Sequence, residues 1–197
     1  MLPMGAGPER LTDAMRSLES AFLLGVEGVS EIWLVRHADC YDEMSDGADP
    51  PLSRRGREQS ALLANRIKRA PPAAVYSSPY RRALETARLL ADDVTVDPRL
   101  VEMEMQLSEE GVFEFIEKPD AVIDRMGAVI NEIAEAHPGQ RVIVVTHGAA
   151  MIVYLTHVLR MEAGQLRFLP FYTSVSVLRV LGDVQMVGSL GDTAHLE

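Results

Sequence analysis

Two stretches of the 197-residue sequence share one design. Residues 31–38, Glu-Ile-Trp-Leu-Val-Arg-His-Ala, run through an apolar segment into Arg36 and His37 and then the small Ala38. Residues 141–148, Arg-Val-Ile-Val-Val-Thr-His-Gly, run in the same way into His147 and Gly148. Short continuous apolar runs are the pattern of strands buried on both faces. A cation and an imidazole at the carboxyl end of such a strand do not serve packing, and in open α/β sheets that edge is where ligands bind. Whatever this chain folds into has to bring these two strand ends together.

The intervening segments alternate between helical and extended patterns. Ser53 is a natural N-cap for a helix whose buried face is Leu62, Leu63 and Ile67 and which ends before Pro71-Pro72. Residues 73–77 form a short strand, and Ser78-Pro79 opens a helix over 80–90 with the serine as its cap. Arg81 and Arg82 in its first turn are residues that the helix dipole alone disfavours. A strand near 94–96 precedes residues 103–119, which have no clean period and read as a loop or lid. Val122, Met126, Val129, Ile130 and Ile133 predict a helix over 120–135, stopped at Pro138-Gly139. Strand 141–146 leads into a helix over 149–160, and residues 174–181 and 184–187 close the chain as a hairpin turned at Gly182-Asp183. This order predicts an α/β fold: a three-layer α/β/α sandwich whose central sheet is mostly parallel with an antiparallel edge.

The length suits one core, so residues 28–197 are expected to form a single catalytic domain. Residues 1–27 precede it as an extension, helical from about residue 9. Leu11, Met15, Leu18 and Phe22 give that helix an apolar stripe, expected to lie on the domain's own core. A second subunit is the alternative cover, which leaves a homodimer open. The formal charge of −10 argues against nucleic acid and anionic membranes as partners, so an anion site would be a local island of Arg and His. One cysteine, Cys40, excludes an internal disulfide and suits a reducing cytosol, and no apolar run reaches membrane-spanning length. A cytoplasmic location is expected.

The residue types at the two strand ends suit attack on a phosphate monoester. That reaction needs an uncharged nucleophile, fixed cations for the non-bridging oxygens, and an acid for the departing oxygen. A neutral imidazole serves as nucleophile when an acceptor fixes its tautomer, and His37 has the position for it. Arg36 and Arg82 offer planar forks to phosphate oxygens, His147 a further contact, and Arg81 a lesser one. Glu102 is the candidate general acid if partial burial favours its protonated form, with Glu104 as a rival. Asp39, Cys40 and Asp42 lack a second cluster with ligand spacing, so neither metal nor other cofactor is expected.

Leu-Val-Arg36-His37-Ala38, Asp49-Pro-Pro-Leu-Ser-Arg-Arg-Gly56, Tyr76-Ser-Ser-Pro-Tyr-Arg-Arg82-Ala-Leu-Glu-Thr86-Ala and Val-Thr146-His147-Gly148 together resemble the histidine phosphatase superfamily, the phosphoglycerate mutase-like group. The motifs appear in the family's order and cover most of residues 31–155. The resemblance implies the phosphoglycerate mutase-like fold and transient phosphorylation of His37, with Arg36, Arg82 and His147 as the phosphate pocket and Glu102 as proton donor. Two departures stand out. Ala38 replaces the usual glycine, and Glu43 stands where many members place an asparagine that contacts phosphate.

These observations favour a metal-independent phosphatase acting on a small phosphorylated metabolite. A mutase that moves phosphate within its substrate would need more cations over the pocket. Residues 103–119 instead supply Glu104, Glu109, Glu110, Glu114 and Glu117 against Lys118. A phosphoprotein or phosphohistidine phosphatase, and a non-catalytic phosphate-binding protein, are the remaining alternatives. The acidic, partly aromatic lid suggests a single phosphate on a neutral or apolar body.

Overall fold

The computed structural model describes residues 8–41, 49–162 and 164–197. In chain order its elements are α1 (Pro8–Ala21), β1 (Ser30–Arg36), α2 (Arg54–Ile67), β2 (Ala74–Ser77), α3 (Arg81–Leu90), β3 (Thr95–Val96), β4 (Met105–Leu107), β5 (Phe113–Phe115), α4 (Pro119–Ala136), β6 (Arg141–Thr146), α5 (Gly148–Val158), β7 (Val175–Leu181) and β8 (Val184–Asp192). Short 3-10 turns cover Pro98–Leu100 and Ala194–Leu196. The main sheet has the order β3-β2-β6-β1-β7-β8. β3, β2, β6 and β1 run parallel, β7 pairs antiparallel with β1, and β8 with β7. This is the expected sandwich with its antiparallel edge.

The apolar strands are buried on both faces, as their unbroken hydrophobicity requires. Ile32, Leu34, Val142, Val144 and Leu178 face α4 and α5, meeting Met126, Ile130, Tyr154 and Leu155. Val35, Ile143 and Val145 face the other way, meeting Leu63 and Ile67 of α2 and Ala83 and Ala87 of α3. Burial of these side chains on both faces, at about 25 cal/mol per Å² of apolar surface, is what holds the sheet between its helix layers.

Four expectations need correction. Residues 103–119 contain a two-stranded antiparallel hairpin, β4–β5, with Met105 opposite Phe115 and Leu107 opposite Phe113. Its strands are three residues long and Leu107 and Phe115 are each 62% exposed, so no buried face exists to impose a period. Strand β8 continues to Asp192, well beyond 187, because a register irregularity in β7 and glycines at 188 and 191 erase the alternation there. Helix α1 stops at Ala21. Its end is a paired hydrogen-bond motif, Leu24 N–H to Glu19 O and Leu23 N–H to Ser20 O, that places Leu23 at φ 55. A leucine is strained in that region, and its burial at 7% exposure offsets the cost. Finally, α1 does not lie on the domain core: every residue from 11 to 20 is exposed.

Gly56 fixes the approach of α2 to the loop after His37. A Cβ there would sit 1.9 Å from the Asp39 carbonyl oxygen, with that residue's carbonyl carbon and amide nitrogen also within contact. Backbone cannot yield as a flexible side chain can. Gly56→Ala is expected to destabilise the protein by about 2 kcal/mol net of the alanine's better helix propensity. Thermal unfolding would fall by roughly 4–8 °C, and an unchanged melting temperature would contradict the close approach.

Candidate active site

Strands β1 and β6 are neighbours in parallel register, Arg36 opposite Thr146. Their carboxyl ends therefore release His37 and His147 side by side, with His37 N–H bonded to Thr146 O at 2.9 Å and the two rings 5.2 Å apart. His37 is 3% exposed. Its Nδ1 lies 2.8 Å from the Ala38 carbonyl, which has no hydrogen to give, so Nδ1 carries the proton and Nε2 presents its lone pair. Arg82 Nε donates to that lone pair at 3.3 Å. Burial pushes the His37 imidazole down to about 3, against the raising effect of the Ala38 carbonyl and with the Arg82 and Arg36 charges adding to the depression. The ring is a neutral base with a fixed tautomer.

Ala38 explains how the usual glycine can be absent. Its φ is not positive, its N–H donates to Thr86 Oγ1 at 3.0 Å, and it is fully buried. Thr86, one turn after Arg82, donates in turn to the Arg82 carbonyl at 2.7 Å. Glycine does matter at 148, where a Cβ would stand 3.3 Å from Arg36 Nε. Arg36 is anchored by a 2.7 Å bond from one terminal nitrogen to Pro170 O, and its guanidinium lies 4.2 Å from the centre of the Tyr172 ring.

Arg82 is held from a place the sequence left unassigned. Asp49 accepts from Arg82 NH1 at 3.0 Å and from the Arg81 amide at 2.7 Å. One carboxylate thus caps the first turn of α3 and neutralises part of the positive charge that the helix dipole disfavours there. Arg81 itself is exposed and paired with Glu85 at 2.7 Å, directed along the helix surface. The residue expected as the α3 cap, Ser78, does something else. Tyr80 occupies the cap position without a side-chain bond. Ser78 Oγ accepts from the Tyr80 N–H at 3.3 Å and bonds His147 Nε2 at 2.8 Å.

That bond couples the tautomer of His147 to the direction of the Ser78 hydroxyl. Burial holds the imidazole well below the ordinary histidine range, with the charges of His37 and Arg82 adding to the effect. When the Ser78 hydroxyl donates to Nε2, the neutral ring carries its proton on Nδ1. Among the described residues, Nδ1 is buried without a hydrogen-bond partner, and so is Arg36 Nε. Two buried donors, the Arg82 guanidinium and the His37 lone pair therefore belong to one cluster, a set suited to a phosphoryl group. Ser78→Ala would strand a buried ring nitrogen, costing about 1–3 kcal/mol. Expressed in the transition state, that is a fall in kcat of roughly 10–100-fold with KM little changed. Loss confined to KM would argue against a tautomer role.

Glu102 joins the cluster through α5. Its carboxylate accepts from the amides of Ala150 at 2.8 Å, Ala149 at 3.3 Å and Met103 at 2.9 Å, so it caps the helix that starts after His147. The sequence pointed to its position and missed the cap, because Glu102 and Ala150 are 48 residues apart. Glu104 is exposed at the base of the β4–β5 hairpin, its amide bonded to Glu117. Asp39 is engaged by Ser53 Oγ at 2.9 Å, and burial raises the Cys40 thiol. Asp42 and Glu43 lie outside the described residues.

A histidine and an arginine at the end of one central strand, facing His-Gly at the end of its parallel neighbour, set on this sandwich, define the phosphoglycerate mutase-like class. Residues 32–116 and 108–193 match the histidine phosphatase superfamily (branch 1), and the chain belongs to that family. The metal-independent phosphoserine phosphatase of Arabidopsis thaliana is 29% identical over 221 residues, covering 93% of this chain and 91% of its own. The probable phosphoglycerate mutase GpmB of Cronobacter sakazakii is 25% identical over 205 residues, covering 85% and 95%. Among solved structures, Bacillus stearothermophilus YhfR aligns with a TM-score of 0.72 at 23% identity, over 85% of this chain and all of its own. Phosphoserine phosphatase from Entamoeba histolytica, in complex with 3-phosphoglyceric acid, aligns with a TM-score of 0.72 at 19% identity over the same shares. Family membership makes the chain a phosphatase-type enzyme that works through a phosphohistidine. Among the described residues, no helix is long and apolar enough to cross a membrane.

Proposed function

We propose that this protein hydrolyses a small phosphate monoester without a metal, using His37 as the nucleophile. The observation that carries this reading is the His37 ring: buried, neutral, its Nδ1–H tied to a carbonyl and its Nε2 lone pair beside Arg82. Nε2 attacks phosphorus as the bond to the leaving oxygen breaks. Arg36, Arg82 and the His147 Nδ1–H hold the three non-bridging oxygens. In its acid form Glu102 gives a proton to the leaving oxygen. The resulting carboxylate then takes a proton from the water that attacks the phosphohistidine, which frees His37 and releases phosphate. Oε2 of Glu102 has the longer amide bond, 3.3 Å from Ala149 N, which supports assigning it that proton exchange.

Hydrolysis is favoured over isomerisation by the pairing of three arginines. Arg81 is bound to Glu85, Arg99 to Asp97 and Glu132, and Arg125 to Glu117. Arg125 also ties down the carbonyls of Arg99 and Val101 at 2.6 and 2.8 Å, which locks the base of the acidic hairpin. None of the three is poised for a second phosphate. The rim, with Tyr80 and Tyr172 beside the two histidines and Phe171 beyond, suits one phosphate on a small neutral or apolar body. The similarity to a phosphoserine phosphatase makes O-phosphoserine an early substrate to assay. A cytosolic setting suits a chain whose single cysteine, Cys40, is buried and not in a disulfide.

The test combines chelation with a leaving-group series. Turnover of aryl and alkyl phosphates is expected to be unaffected by EDTA. Glu102→Gln should lower alkyl phosphate turnover by roughly 10²–10³-fold, within the usual range for general acid catalysis. Aryl phosphates, whose leaving group needs no proton, should lose less than about tenfold. Glu104→Gln should change neither. Equal losses across the series would remove Glu102 from the acid role, and loss of activity in EDTA would overturn the metal-free reading.

A further inference from the structure

We propose that α1 is a self-association element, which pairs antiparallel with α1 of a second copy of this chain. Leu11, Met15 and Leu18 of α1, and Phe22 just past its end, are 64%, 48%, 52% and 52% exposed, although their spacing alternates four, three and four residues. That is the seam of a two-helix pair rather than a scatter of surface apolar residues. The helix has 14 residues, and residues 11–21 are all exposed. An isolated helix of under about 15 residues is marginal in water, so packing along this face is what would make it stable.

The flanks say what the partner is. An antiparallel pair centred between Met15 and Leu18 sets Leu11 against the partner copy's Phe22 and Met15 against its Leu18. On one flank, Glu19 then falls within two residues of the second copy's Arg16, about 3 Å along the axis at 1.5 Å per residue. Twofold symmetry repeats the pair, giving two reciprocal Arg16–Glu19 contacts. The other flank carries Ala14 and Ala21, small enough for the helices to approach closely. A parallel pair would set Ala14 against the second copy's Glu19 and lose both charge pairs. The helix is its own electrostatic complement in the antiparallel sense only. An anionic membrane surface is a poor rival, since residues 11–21 carry two acids and one base on a chain of net charge −10. Two such helices bury well under the ~800 Å² per partner of a standard interface, so the association is weak and concentration-dependent.

Sedimentation velocity on the full chain, at rising concentration, should show the mass moving from one 21.7 kDa chain to two. Far-ultraviolet helicity should rise with it. Leu18→Glu should keep the protein monomeric with its phosphatase activity unchanged, since the helix is remote from His37. Arg16→Glu should weaken the dimer roughly 4- to 30-fold, as expected from losing two ion pairs for two like-charge contacts. Arg16→Glu combined with Glu19→Arg should restore it. A wild-type chain that stays monomeric throughout, or a Leu18→Glu variant that dimerises like wild type, would overturn the proposal. Dimerisation without rescue by the charge swap would overturn the antiparallel register. A monomer that cosediments with anionic vesicles would assign the face to a membrane instead.

Discussion

Replacing His37 with alanine is expected to reduce kcat/KM for every monoester by about 10⁴-fold or more, the scale on which loss of a covalent nucleophile registers. No residual route exists for a metal-free double displacement once Nε2 is gone. Wild type quenched during turnover should carry acid-labile phosphate, and His37→Ala should carry none. Substantial activity in the variant would mean that another group attacks phosphorus. The same substitution has a signature in stability. His37 titrates near 3 in the folded chain, far below the ordinary histidine value of 6.5. Between those values the unfolded chain holds a proton there and the folded chain does not, so this group makes stability fall as pH drops from 6.5 toward 3. Removing it should shrink the difference in unfolding free energy between pH 7 and pH 4.5 by up to about 3 kcal/mol. Denaturant titrations at the two pH values measure this, and an unchanged difference would contradict a neutral buried ring. The slope that remains belongs in part to His147, which burial also keeps neutral.

Arg82→Ala should produce the next largest loss, about 10²–10³-fold in kcat, the range seen when a preorganised donor to developing charge is removed. Arg82 is 7% exposed, so its field acts where water screens it little. Arg82→Lys should recover only part of the loss, because a point charge cannot reproduce the fork toward both His37 and Asp49. Stability should change little, since Asp49 is 39% exposed at its side chain and water takes over its oxygens. The variant should also raise the His37 pKa, because the Arg82 charge is one of the effects that depress it, after burial. The acid limb of the rate profile would then move to higher pH. An Arg82→Ala enzyme with full kcat and a higher KM would mean that Arg82 binds substrate and transition state equally.

The division between what was readable in the sequence and what was not follows from the range of the interactions. Local signals marked the strands ending at Arg36 and Thr146, the Ser53 cap of α2 and the apolar face of α4. Each rests on periodicity or capping within a few residues. The β4–β5 hairpin escaped because three-residue exposed strands carry no periodic signal. The expected burial of α1 failed because an amphipathic stripe states that a cover is needed and not which surface provides it. Ser78 was misassigned for a related reason. A serine before Pro79 is a good cap in isolation, but His147, 69 residues away, holds its hydroxyl.

From the sequence alone came the candidate site residues: a histidine and an arginine where one apolar run ends, a second histidine where another ends, and an arginine in the first turn of α3. Chemistry of this kind is written in residue type and strand-end position, and both are local. The tertiary structure alone decided that β1 lies beside β6 in parallel register, so that His37 and His147 stand 5.2 Å apart. It also decided that Asp49 steadies Arg82, that Ser78 orients His147, and that Glu102 reaches the start of α5. These contacts span from 33 to 69 residues, and no window of sequence contains them. Which nitrogen of His37 carries the proton depends on a partner that only folding supplies.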